Sequence, residues 1–234
     1  MGNNRNPFDL PVEGYNDREI NLAHLKKAFE RAAVSDPETA LRMGRYLNES
    51  RYTSGRIAYC HFLWTAVAVS APRAERHAEA ERILLEIRND LDISDKMDAQ
   101  ISTELAGLYH AAGRPVGHLA ALLRAKRYGS SIPEHDIERA RKRLQASDVN
   151  RLGDNPQDAF DLAVELEILK ADRLTELFYQ LATEADNKML KAKAALHLAD
   201  YYDRNRHKSQ SYAQEAHKYY AMAEACGLPD VLSW

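Results

Sequence analysis

The stretch AALHLADYYDRNRHKSQSYAQEAHKYYAMAEACG, residues 194–227, decides the fold. It sets Leu198, Ala199 and Tyr202 on a first helix and Tyr219 with Tyr220 on a second. The same first-helix signature, a large apolar residue, a small one, then Tyr or Leu three further on, stands at three other places. They are Met43, Gly44 and Leu47; Leu105, Ala106 and Tyr109; and Leu162, Ala163 and Leu166. Each is followed by a second helix with its own pair: Leu63 and Trp64, Ala121 and Leu122, Phe178 and Tyr179. A small residue beside a large one lets two antiparallel helices approach closely, and the large residue further along fills the gap against the next pair. The pattern is a helix-pair repeat, an architecture suited to holding a partner.

The 234 residues are 45% hydrophobic, ordinary for a folded chain, so disorder is excluded. A formal charge of -3 and a pI near 6.3 give no whole-chain field for nucleic acid or anionic membrane. Residues 1–16 are polar, with Pro7 and Pro11 and no apolar run, which does not fit a secretory signal; Gly2 is followed by Asn6 where a myristoylation motif needs Ser or Thr. The longest apolar stretch, 62–69, is far short of the ~20 residues a bilayer requires. Two cysteines, Cys60 and Cys226, are far apart in the chain; both are expected reduced and packed, in keeping with a cytoplasmic protein.

Beyond Asp17, apolar residues recur at three- and four-residue intervals and nothing alternates with period two. The fold class is therefore all-α. Ser35-Asp36-Pro37-Glu38 supplies an N-cap, a first-turn proline and an acid at the helix's positive end, and Asn155-Pro156 with Asp158 repeats the device. With breaks at Ala71-Pro72, Gly113, Gly129 to Pro133, Gly153 and Gly227, the pattern predicts helices over 19–33, 36–50, 54–70, 73–91, 95–112, 115–128, 133–146, 156–170, 171–186, 188–204 and 208–226. The signatures begin at 43, 105, 162 and 198, intervals of 62, 57 and 36. The last interval holds one helix pair; the first two each hold an extra helix, 73–91 and 133–146. The former carries a stripe of Ala80, Ile83, Leu84, Ile87 and Leu91, the latter only Ile137, Ala140 and Leu144, which suits a surface-lying helix.

Ala194, Leu198, Ala199 and Tyr202 with Ala216, Tyr219, Tyr220, Ala223 and Gly227 resemble the SEL-one-like subclass of the tetratricopeptide repeat superfamily. Met43 to Leu63 has the spacing of that subclass, whereas Leu105 to Ala121 and Leu162 to Phe178 are closer to plain tetratricopeptide repeats. Ala121 and Leu122 stand where aromatics are usual, and Asp186 where the closing glycine belongs. The resemblance implies a right-handed helical-repeat solenoid of antiparallel helix pairs with two extra helices, one domain over 19–234 after a tail over 1–18. The signature residues specify packing, so function is sought on exposed faces.

In the solenoids that this chain resembles, first helices line a concave groove. Carried over, the groove takes Glu38, Leu41, Arg45 and Asn48; Gln100, Thr103, Gly107 and His110; Gln157, Phe160, Val164 and Glu167; and Lys193, Leu196, Asp200 and Asp203. Of these, Arg45, Asn48, Thr103, His110, Phe160, Val164, Glu167, Lys193 and Asp200 are the expected partner-binding residues. Apolar anchors flanked by charge suit a protein or peptide segment. A second reading comes from a different class: Arg124, Lys126, Arg127, Arg139, Arg141, Lys142 and Arg143 could neutralise phosphates of a nucleic acid, although Glu134, Asp136 and Glu138 interrupt them.

Catalysis finds little in the sequence. Nine histidines stand in no metal-binding spacing, and no phosphate loop or nucleophile elbow occurs, so no catalytic residue, metal or cofactor is expected. His77 and Glu81 share a helix face that Glu75 and Glu79 mark as a solvated ion-pair surface. The Arg- and Ala-rich usage points to a bacterial source. Phe8, Leu10, Val12 and Tyr15 in the tail fit an extended strap or a free segment, and Val231, Leu232 and Trp234 cover an end of the array or meet a second subunit, which leaves a homodimer open.

Overall fold

The computed structural model describes residues 15–66, 69, 71–89, 93–145 and 155–227. The chain divides between Ser94 and Asp95 into two compact units. The first holds α1 (Tyr15–Ser35), α2 (Pro37–Glu49), α3 (Thr53–Thr65) and α4 (Arg73–Arg88). The second holds α5 (Asp95–Ala111), α6 (Pro115–Arg127), α7 (Glu134–Gln145), α8 (Pro156–Ile168), α9 (Asp172–Ala182), α10 (Lys188–Arg204) and α11 (Gln210–Ala225). Among the described residues there is no strand. The tail residues Phe8, Leu10 and Val12, the stripe residue Leu91, and Val231, Leu232 and Trp234 lie outside the described residues.

Local chemistry explains the helix ends. Asp36 accepts from the Thr39 N–H, and Asn155 from those of Gln157 and Asp158, each followed by a proline at the first helical position. After α5 the Arg114 N–H reaches the Tyr109 carbonyl at 2.9 Å across Gly113, whose φ of 71° a side chain disfavours. Expected boundaries differ most at α1, at α3 and at α9, which ends at Ala182 rather than 186. α1 begins at Tyr15, inside the expected tail. α3 ends at Thr65 rather than 70, because Ala66 turns extended and the Arg76 guanidinium closes the helix end. Arg76 donates to the carbonyls of Leu63 (2.6 Å), Ala66 (2.8 Å) and Ala71 (3.0 Å).

In the first unit, α2 packs on α1 and α3, and α3 on α4. The close approach turns on Gly44: a Cβ there would lie 2.0 Å from the Tyr59 ring, which is fully buried across from it. In the second unit α5 pairs with α6, α8 with α9 and α10 with α11, while α6 also meets α8 and α9 meets α10. All four signatures are buried. Both extra helices form. α4 buries Ala80, Ile83, Leu84 and Ile87, and α7 buries only Ile137 and Ala140, the narrow stripe of a surface-lying helix. Both cysteines are free thiols, Cys60 buried and Cys226 half-buried.

Candidate functional site

The second unit gathers its exposed chemistry in two places. The first is a trough of about 250 Å³. α7 packs along α6 and, among the described residues, its backbone comes close to no other helix, which leaves a gap between α5 and α7. Thr103, Gly107 and His110 of α5 form one wall, and Asp136, Arg139, Ala140 and Arg143 of α7 the other. His118 and Leu122 of α6 form the floor. The period of α7 explains its wall, because residues three and four apart share a face. His110 and His118 stack with ring centroids 5.0 Å apart and planes within 7°. One Arg143 nitrogen lies 3.0 Å from both ring nitrogens of His110. Burial, then His110 and Arg143, push the His118 imidazole down to about 4, so it is neutral near pH 7.

The second place is an aromatic and hydrogen-bonded cluster joining α8, α9 and α10. The Tyr179 hydroxyl donates to Glu167 at 2.7 Å and lies 3.1 Å from the His197 Nδ1. His197 stacks on Tyr179, and Phe160 presents to both rings at 5.5–5.8 Å. Arg204 pairs with the other Glu167 oxygen. Hydrogen bonding from His197, then from Arg204 and Tyr179, outweighs burial and holds the Glu167 carboxyl down at about 2. A carboxyl held so low is a poor general base near neutrality. Elsewhere on these helices Ile168 and Leu169, at the end of α8, and Leu174 and Leu177, on α9, are exposed.

The expected partner-binding residues fall accordingly. Thr103 and His110 meet in the trough, and Phe160 and Glu167 meet in the cluster, with Val164 half-buried on the same helix. Lys193 is exposed on α10, and exposed Asp200 accepts from the Tyr220 hydroxyl at 2.8 Å. Arg45 and Asn48 belong to the first unit. There Asn48 accepts from Arg56 at 3.1 Å, Arg45 is exposed near the Tyr59 hydroxyl, and Leu41, expected in the groove, is buried.

Most of the basic run is engaged within the fold. Arg124 forks buried Asp98 with bonds of 2.9 and 2.6 Å, Arg127 reaches buried Glu165 at 2.7 Å, and Lys126 pairs with Glu134. Arg139 lies 3.4 Å from Asp136 and Arg141 2.5 Å from Glu138, while Lys142 is exposed. Together with Arg114, which forks buried Asp158 at 2.9 and 2.6 Å just before α6, Arg124 and Arg127 tie α6 to α5 and α8. At Glu165 burial outweighs the attraction of Arg127 and pushes the carboxyl up. Paired cations leave little for an extended phosphate track.

Sequence reasoning missed His118, Tyr179, His197 and Arg204. A signal existed for the trough: Asp136, Arg139, Ala140 and Arg143 fall on one helix face, which a reading of the segment as a basic run overlooks. Among the described residues no three His, Cys, Asp or Glu side chains group as a metal site, and no helix is long and apolar enough to cross a membrane. No family model, curated protein or solved structure matches the chain.

Proposed function

We propose that this chain is a non-catalytic protein-interaction scaffold, adaptor or regulator, and that its second unit captures a segment of a partner protein. The observation that carries the reading is the Phe160 cluster: a half-exposed aromatic ring, held by Tyr179 and His197, with the Glu167 charge beside it. An apolar anchor with a neighbouring charge is what a segment-binding face requires. In this reading the helix pairs are tetratricopeptide-like repeats of the SEL-like kind, wound right-handed, in a cytoplasmic bacterial protein.

The test is affinity capture from lysate with the wild-type chain and with the Phe160→Asp/Glu167→Lys double variant, with circular dichroism to check helicity. A Phe160→Ala variant, which leaves the Glu167 hydrogen bonds in place, guards against unfolding. A protein captured by the wild type and lost from both variants is the expected result. Capture that survives both overturns the assignment.

A further inference from the structure

The trough between α5 and α7 lies outside the Phe160 cluster and has its own chemistry. Its lining charge is two guanidiniums, Arg139 and Arg143, against one carboxylate, Asp136. Asp136 is already shared, 3.4 Å from both Arg139 and His135. The stacked rings of His110 and His118 join the α5 wall to the floor, with Arg143 at the His110 ring edge. On the α5 wall the Thr103 hydroxyl donates to the Ala99 carbonyl at 2.8 Å and lies 3.2 Å from that of Ser130. Beside His118 the lining is apolar, with Leu122, Ala106 and Ala140.

From this geometry we propose that the trough is an oxyanion site, taking a carboxylate or phosphate group borne on a side chain or chain end of the bound protein segment. The inference rests on the reading of the second unit as a partner-binding domain and names the chemistry that one part of it recognises. The positive charge converges on a space sized for one small group, and guanidinium and imidazole N–H groups are the donors an oxyanion needs. The apolar lining suits the carbon chain that carries the group. A nucleic-acid strand would need a continuous track, and the neighbouring cations Arg124, Lys126, Arg127 and Arg141 already meet acids.

Binding has a proton signature. His118 is kept neutral by burial and by His110 and Arg143, with Asp136 opposing. An anion among these groups favours the imidazolium, so occupancy draws the His118 titration toward higher pH, and affinity rises as pH falls toward that titration.

The experiment follows the imidazole resonances of His110 and His118 by nitrogen-proton NMR in the full-length protein. It is titrated with inorganic phosphate and separately with acetate, at fixed ionic strength. The expected result is a saturable shift of both rings, a His118 titration moved up in the presence of the anion, and apparent affinity about tenfold weaker in Arg143→Gln. Arg141→Gln removes the same charge from the same helix outside the trough and is expected to change nothing. A response to phosphate alone assigns a phosphorylated side chain, a response to acetate alone a carboxylate, and a response to both the shared class. No saturable shift with either ion overturns the proposal, as does equal weakening by Arg141→Gln, which indicates a diffuse field of the kind nucleic acid uses. If the rings respond but no partner depends on Phe160, the oxyanion site stands and the partner-binding reading fails. If Phe160-dependent capture occurs and the rings stay silent, the reverse holds.

Discussion

The trough at α5–α7 and the cluster at α8–α10 are built from equivalent positions, yet they spend their polar groups differently. In the cluster, Glu167 receives Tyr179 and Arg204 and lies within 3.4 Å of His197, so the group that stands beside Phe160 also ties three helices together. In the trough, Arg139, Arg143 and the stacked histidines border open volume. The difference comes from α7. The cluster has no inserted helix and its first helices meet their neighbours directly, whereas α7 stands off α5 and keeps two walls apart. Closed polar networks rigidify a fold, while polar groups that line a cavity meet whatever enters it.

The largest effect expected on this contrast comes from the ion pairs that anchor α6, which supports both places. Arg114→Ala strands the buried Asp158 carboxylate and is expected to cost about 3–5 kcal/mol, read by urea unfolding. Gly117→Ala is next. A Cβ there would lie 2.7 Å from the Asp158 carboxyl, so the usual helical gain of alanine is outweighed and a loss of about 1–3 kcal/mol is expected.

Two pH slopes then separate the regions. The stability Glu167 contributes is full above its ordinary value of 4.5 and is lost as pH falls from there toward about 2. Glu167→Gln is expected to flatten stability over that window. His118 acts higher. The unfolded chain takes this proton first, so stability falls as pH drops from 6.5 to about 4 and this contribution levels off below. His118→Gln is expected to remove that slope and leave the acidic one. Thermal melts across pH measure both, and a single slope shared by the two variants would break the comparison. The smallest effect is that of Arg143→Gln, within about 0.5 kcal/mol of wild type, since the residue lies at the edge of a surface helix.

Much of the fold was legible because helix packing is local. The signatures at 43, 105, 162 and 198 fell in the interior, and α10 spans the expected 188–204. Errors came where a distant group decided. α3 stops at Thr65 because Arg76 takes its terminal carbonyls, and Leu41 is buried by its neighbours despite a groove-facing offset. The candidate site was legible only by halves. Thr103, His110, Phe160 and Glu167 follow from an offset within one helix, but His118, Tyr179 and His197 arrive from other helices. Arg124 and Arg127 read as a basic surface because their partners, Asp98 and Glu165, are 26 and 38 residues away.

By itself the sequence determined which segments are helical, where caps and prolines start them, and which face of each is buried, since these follow from a 3.6-residue period and from interactions within a few residues. Only the tertiary structure decided which charges are spent on the fold and which border open space. That choice depends on distances between helices, and a one-dimensional pattern of charge carries no such distance.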